Sequence, residues 1–323
     1  MNRKDFMKTT ALGTLGSTLL PGILKANPHG IKALEMLDTL GIQLFSLPKM
    51  LEADLRGTLA MLAELGYAEL ELFGPYPFSA ESTKASWLQL SPMLGFSGSG
   101  CFGVSTGEFK AMASDLGLKI PSLHTDLDTL EQHMPALAGA ARDLGATYVT
   151  LPFIPAERRQ SLDDYKKMAD TFNRIGQSAL EEGIRFAYHN HGYGLQEQDG
   201  QVPFRVLLEA TDPLSVFLEM DVFWTAAGKA DPVTYLKDYK GRYKMMHLKD
   251  MKERKYFSGD GGDPGQWMEL FPLMASAGKG VLDLEAIVKA ALETGVDHFF
   301  VEQDLVANPR EALGESHRYL GSL

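Results

Sequence analysis

Histidine and acidic residues recur in pairs two positions apart at the ends of short apolar runs. The pairs are His189 and His191 in FAYHNH, Glu219 and Asp221 in VFLEMD, His247 and Lys249 in YKMMHLK, and Glu302 and Asp304 in FFVEQD. A β-strand sends residues i and i+2 to the same face. If the runs are neighbouring strands, their polar ends converge, and converging imidazoles and carboxylates have the character of a metal site.

That convergence needs an architecture, and the chain alternates strand-like with helix-like segments. Candidate strands are 41–47, 67–73, 120–124, 147–151, 184–190, 216–221, 243–247 and 298–302. Apolar residues at helical spacing fill 55–65, 130–144, 165–182, 284–293 and 309–320 between or after them. Glycines in ELGYAEL, DLGATYV, EEGIRFA and ETGVDHF mark helix ends, where a left-handed residue stops the helix. Eight such units predict a single-domain (β/α)8 TIM barrel over 41–323, which places active-site residues at the C-terminal ends of its strands. The paired polar residues occupy those ends.

Composition agrees with one large domain. The segment from Gly41 onward matches the ~250 residues of a barrel plus loop insertions. A single cysteine, Cys101, forms no internal disulfide. A formal net charge of −11 disfavours nucleic-acid or anionic-membrane partners, because phosphate binding needs clustered Lys and Arg. Residues 1–26 order a basic start (Asn2-Arg3-Lys4), a mild apolar stretch and Lys25-Ala26, which resembles a twin-arginine export signal with Lys4 in place of the second arginine. The apolar stretch is too short for a ~20-residue membrane span. The expectation is a periplasmic protein, cytoplasmic if the signal is not used, with residues 27–40 as an N-terminal segment before the barrel.

Extra length lies after the second and seventh strands, in 74–103 and 251–279, and is expected as long binding loops over one mouth. Trp87, Phe102, Tyr256 and Trp267 in these segments offer flat apolar surface for a sugar ring, or bury the loops onto the barrel.

The segments HNH, MDVFWTAAGKADP, MHLKD, GKGVLDLEAI and FFVEQD, in this order, resemble the sugar phosphate isomerase/epimerase family, the xylose isomerase-like barrels. The resemblance implies one divalent ion, Mn, Mg, Co or Zn, held by a residue from each of strands five to eight. The matching positions are His189, Asp221, His247 and Glu302. Many relatives carry glutamate where this chain has His189, and two metal-bound glutamates then serve as paired acid and base. Imidazole keeps the ligand and removes one member of that pair. The mixed N/O set suits Zn, Mn or Co better than calcium, which takes oxygen.

Such an ion would polarise a carbonyl or hydroxyl oxygen and acidify the neighbouring C–H. Glu302, His191 and Glu219 are the candidate bases, and Lys249 is a candidate donor to a developing oxyanion or a structural partner of Glu219. His124, Glu71 and Trp267 are expected to bind substrate; Asp304, Lys244 and Arg242 are expected to be solvated or structural. His298 and His317 are expected at the surface. The function expected is an isomerase or epimerase acting on an unphosphorylated sugar, keto-sugar or cyclitol. The alternatives are a metal-dependent lyase or dehydratase on a keto-sugar or keto-glycoside, a phosphodiesterase of the endonuclease IV type, and a non-catalytic sugar-binding barrel. Assembly into a homo-oligomer stays open.

Overall fold

A computed structural model describes residue 37 and residues 39–323. The expected export segment, and nearly all of 27–40, lie outside the described residues. Eight strands close into a parallel barrel: β1 (Gly41–Gln43), β2 (Glu69–Phe73), β3 (Lys119–His124), β4 (Tyr148–Leu151), β5 (Arg185–His189), β6 (Val216–Asp221), β7 (Tyr243–Leu248) and β8 (His298–Val301). Each pairs with its neighbours in sequence, and β8 closes on β1 through Phe300 beside Gly41. A Cβ at position 41 would lie 2.4 Å from Phe300 Cδ1, so glycine there lets β1 close against that ring.

The strands read as apolar runs because both faces are buried. Outward residues such as Leu72, Val149, Phe186, Met220, Leu248 and Val301 join the large core shared with the helices. Inward residues Tyr148, Ala187, Met245 and Phe300 form a second, separate cluster, with Phe217 packed against it, inside the barrel. Helices are set by local signals. Ser161 and Asp164 form a reciprocal capping box that starts Leu162–Glu181, three residues before the apolar spacing suggested. Gly145 and Gly295 end Met134–Leu144 and Leu284–Thr294 with φ of 81° and 95°.

Two sequence expectations need correction. The first strand stops at Gln43, whose side chain accepts from the Phe45 amide and turns Leu44–Ser46 into a 3₁₀ turn. The extra segments are not structureless: 74–103 contains the helix Glu81–Leu94, and 251–279 contains Pro264–Leu270 and is closed at its base by a small antiparallel pair, Asp250–Met251 with Met274–Ala275. Asp250 ties that pair down by accepting the amides of Met251, Gly278, Gly280 and Leu282. Among the described residues no helix is long and apolar enough to cross a membrane.

Candidate active site

Register brings the paired residues level with one another. His189 of β5 lies beside Glu219 of β6, and Asp221 lies beside His247 of β7, which lies beside Phe300 of β8. Inward alternation then sends Glu219, Asp221, His247 and Glu302 to the same end of the barrel. Asp221 is both strand end and helix cap: its Oδ1 accepts from the Trp224 amide at 2.8 Å, which aims Oδ2 at the centre.

Glu219 is fully buried and faces three histidines, with His124 Nε2 at 2.7 Å, His189 Nδ1 at 3.1 Å and His247 Nε2 at 3.3 Å. His247 also contacts Glu71 through Nε2 and Glu302 through Nδ1, the latter at 2.9 Å. Gln43 donates to Glu71 at 2.8 Å and was missed in the sequence, because a lone glutamine carries no spacing signal. Lys249, fully buried, contacts Asp221 (3.0 Å), Glu302 and Asp304 (2.9 Å). The Lys249–Glu219 pair considered from the sequence is therefore replaced: lysine takes the β8 carboxylates and Asp221, while histidines take Glu219. Asp304, expected to be solvated or structural, is not in solvent but held in the site by the same lysine.

Burial and charge set the protonation of these groups together. Burial pushes the Glu71 and Glu302 carboxyls up, but facing cations outweigh it and hold both well below the usual range: His124 and His247 for Glu71, Lys249 and His247 for Glu302. Burial lowers His124, yet Glu71 and Glu219 outweigh it and raise it to about 9. His247 is likewise carried well above its ordinary value, by Glu219, Glu302 and Glu71 against the effect of burial. His189 moves the other way, through burial and then the charge of His247. Burial, then Lys249, pushes His191 down to about 3, so its ring is neutral.

Five carboxyl groups, Glu71, Glu219, Asp221, Glu302 and Asp304, face three cations, Lys249 and the raised His124 and His247, so the site still has room for further positive charge. Glu71 Oε1 is buried without a partner, while Asp221 Oδ2 and Glu219 Oε1 make no hydrogen bond and have only ion-pair contacts, with Lys249 Nζ at 3.0 Å and His247 Nε2 at 3.3 Å. Ligand atoms converge within 4.8 Å in two overlapping groups, His124, His189, Glu219 and His247, and Asp221, His247 and Glu302. A divalent ion fits this donor chemistry, with His247 common to both groups. The expected quartet is thus brought to one end of the barrel but divided: His189 leans to Glu219, and its Nε2 stays 3.8 Å from Asp221 Oδ2.

A cavity of about 350 Å³ opens over this cluster and is lined at its inner end by His124, His189, His191, Trp224, Glu302 and Asp304. Neither lysine nor arginine lines it among the described residues. Glu71 and Glu219 are not on its lining; they lie beneath and hold the histidines. Trp267 does not line it either: its ring stacks on His191 at 4.8 Å and its Nε1 donates to Gly261 O at 2.7 Å, so it backs the histidine from behind. Phe102 packs on Phe73 and Tyr256 lines a different depression, leaving Trp87 as the one expected aromatic at the cavity. Arg242 is structural, bonding the carbonyls of Val216 and Leu208. His298 is partly buried against Glu69, and His317 packs on Tyr67, so neither is a free surface residue.

Comparison with known proteins follows the same lines. Inosose dehydratase of Lacticaseibacillus casei is 28% identical over 165 residues, 49% of this chain and 54% of that protein. The chain spans about half the length of the curated relatives it matches. A sugar phosphate isomerase/epimerase structure from Parabacteroides distasonis is similar with a TM-score of 0.68 and 26% identity, over 88% of this chain and 93% of that one. The IOLI protein, solved with a bound zinc atom, shares the fold at a TM-score of 0.62 and 15% identity, over 88% and 98% of the two chains. The family described as xylose isomerase-like TIM barrel matches residues 59–323. That span runs from ahead of β2 to the last residue, and the protein belongs to the xylose isomerase-like TIM barrel family.

Proposed function

We propose that this protein is a divalent-metal-dependent enzyme that moves a proton on the carbon next to a carbonyl of an unphosphorylated sugar, keto-sugar or cyclitol. The observation that carries the reading is the buried histidine–carboxylate cluster at the closed end of a cavity free of lysine and arginine. A phosphate would need such cations or a helix N-terminus. Asp221, His247 and Glu302 would hold the ion, with His189 as the adjacent donor. When bound, the ion withdraws electrons from the substrate oxygens and acidifies the C–H between them.

The chain's own groups divide the remaining work. Glu302 lines the cavity as a carboxylate kept ionised by Lys249 and His247, so it can take a proton from carbon. His191 Nδ1 is held by Pro152 O at 2.6 Å, which leaves Nε2 as an acceptor for a substrate hydroxyl. Glu219 is sealed from the cavity and orients His124, His189 and His247. Trp224 closes the inner wall against water.

Elimination is the form of this chemistry favoured by a second observation. Asp304 lines the cavity beside Glu302, and Lys249 touches both, so two proton-carrying groups stand on one side of the substrate. One can accept the C–H proton while the other protonates a departing hydroxyl. The inosose dehydratase relatives support a dehydratase on a cyclitol-like ketone, and epimerase or isomerase chemistry uses the same first step. An exported location, read from residues 1–26, goes with an unphosphorylated substrate.

The test is proton-exchange NMR in deuterated water with a panel of keto-sugars and cyclitol ketones and protein loaded with Mn, Co or Zn. Metal-dependent exchange next to the carbonyl, with or without loss of water, is expected. Absence of exchange across the panel with every metal would sink the proposal.

A further inference from the structure

The cavity has a second half that proton chemistry does not use. Beyond the histidines it runs outward between Phe45, Phe73, Pro75, Trp87 and Leu90. The helix Glu81–Leu94 turns Thr83, Ser86, Trp87 and Leu90 toward it, a spacing that keeps them on one face. Phe45 and Phe73 meet edge to face at 5.2 Å, and Phe96 packs behind Trp87 at 5.7 Å, so the wall is a built aromatic surface.

Polar atoms of this half are already committed. Trp87 Nε1 donates to Ser97 O at 2.8 Å, Thr83 Oγ1 to Asp126 at 2.6 Å and Ser86 Oγ to Ser82 O at 3.0 Å. Pro75 O accepts from Ser99 Oγ at 2.8 Å. The inner half is different: Thr125 Oγ1, on the cavity lining, is buried without a partner. A second sugar in the outer half would lose water from its hydroxyls and find few partners in return. A flat apolar group would lose nothing and cover aromatic surface. The wall opens outward at Leu90, 40% exposed, with Met93, 69% exposed, one turn further along the helix.

We propose that the substrate has two parts: a sugar-like ring over the histidine–carboxylate floor and a planar apolar substituent, as in an aryl glycoside, in the slot beside Trp87 and Leu90. The proposal rests on the reading above for the ring and on the outer wall for the substituent. Trp87 and Leu90 are then specificity residues, remote from the reacting carbon.

Calorimetric titration of the full chain, metal-free and manganese-loaded, with phenyl β-D-glucoside, methyl β-D-glucoside and cellobiose tests it. The phenyl probe should bind about tenfold tighter than the methyl probe. Leu90→Asp, an exposed position that leaves the core intact, and Trp87→Ala should each bring the ratio of the two to within about twofold. Circular dichroism and melting confirm that each variant is folded. Equal binding of the two probes, undetectable binding of both at millimolar concentration, tighter binding of cellobiose, or a phenyl preference that survives both substitutions overturns the two-part substrate. Proton exchange is read separately. A phenyl preference without exchange removes the proposed chemistry and keeps the slot, whereas exchange without a phenyl preference does the reverse.

Discussion

The floor and the outer wall of one cavity satisfy their polar groups in opposite ways. On the floor, five carboxyl groups meet one lysine and a set of histidines, and Glu71 Oε1 is left without a partner while Asp221 Oδ2 and Glu219 Oε1 have ion-pair contacts alone. On the wall, hydroxyls and the indole N–H are turned back into the protein, and the exposed remainder is carbon. The floor is therefore built to take up charge from outside, and the wall to take up apolar surface. Electrostatic demand is sharp at the first and absent at the second, although the two meet at His124.

The strongest way to break this contrast is to remove the floor's ligands. Asp221→Ala and Glu302→Ala should each abolish metal retention and cut turnover by about 10³-fold or more, read by elemental analysis and the exchange assay. Full metal occupancy in Glu302→Ala would remove Glu302 from the ligand set. Next in size is Lys249→Met. It takes the ammonium from among Asp221, Glu302 and Asp304, so metal affinity should rise while turnover drops by about 10²–10⁴-fold. Weaker metal binding in this variant would show that lysine organises the carboxylates instead of competing for them.

A pH experiment sharpens the comparison without mutation. In the metal-free protein His124 is raised from 6.5 to about 9 by Glu71 and Glu219 acting against burial, so the folded state binds its proton more tightly than the unfolded chain. The resulting stability is fully present below pH 6.5 and is lost as pH rises through about 9. Melting temperature in chelator should fall across that window, and saturating metal should flatten the fall. Uptake of the ion should also release protons, seen as a buffer-dependent heat in calorimetry, because the ion and the histidine protons serve the same carboxylates. Buffer-independent heats would sink this account. The smallest effect is expected from Trp267→Phe, which keeps a ring behind His191 and loses the bond to Gly261: about 1 kcal/mol of stability and less than about threefold in turnover.

Much of the floor was legible in the sequence because strand alternation is a fixed period of two. His189, Asp221, His247 and Glu302 arrive at one barrel end by that rule alone, and His124 follows from its place at the end of β3. Partner choice was not legible. Whether Lys249 meets Glu219 or Glu302 depends on strand stagger across β6, β7 and β8, which sequence spacing does not encode, and the choice between a solvated and a structural Asp304 stayed open for the same reason. The wall was hidden more completely. ESTKASWLQL sits in a segment rich in Gly, Ser and Pro that hides a helix, and Trp267, although as aromatic as Trp87, faces the back of a histidine instead of the cavity.

The sequence by itself determined the eightfold strand–helix alternation, the end of the barrel that carries the chemistry and the kinds of donor gathered there, since each follows from local periodicity and residue type. Only the tertiary structure decided which carboxylate meets which cation, which aromatic rings reach the cavity and where its apolar half lies. Those outcomes depend on a few ångströms of stagger and loop path between segments far apart in the chain, and no local pattern records them.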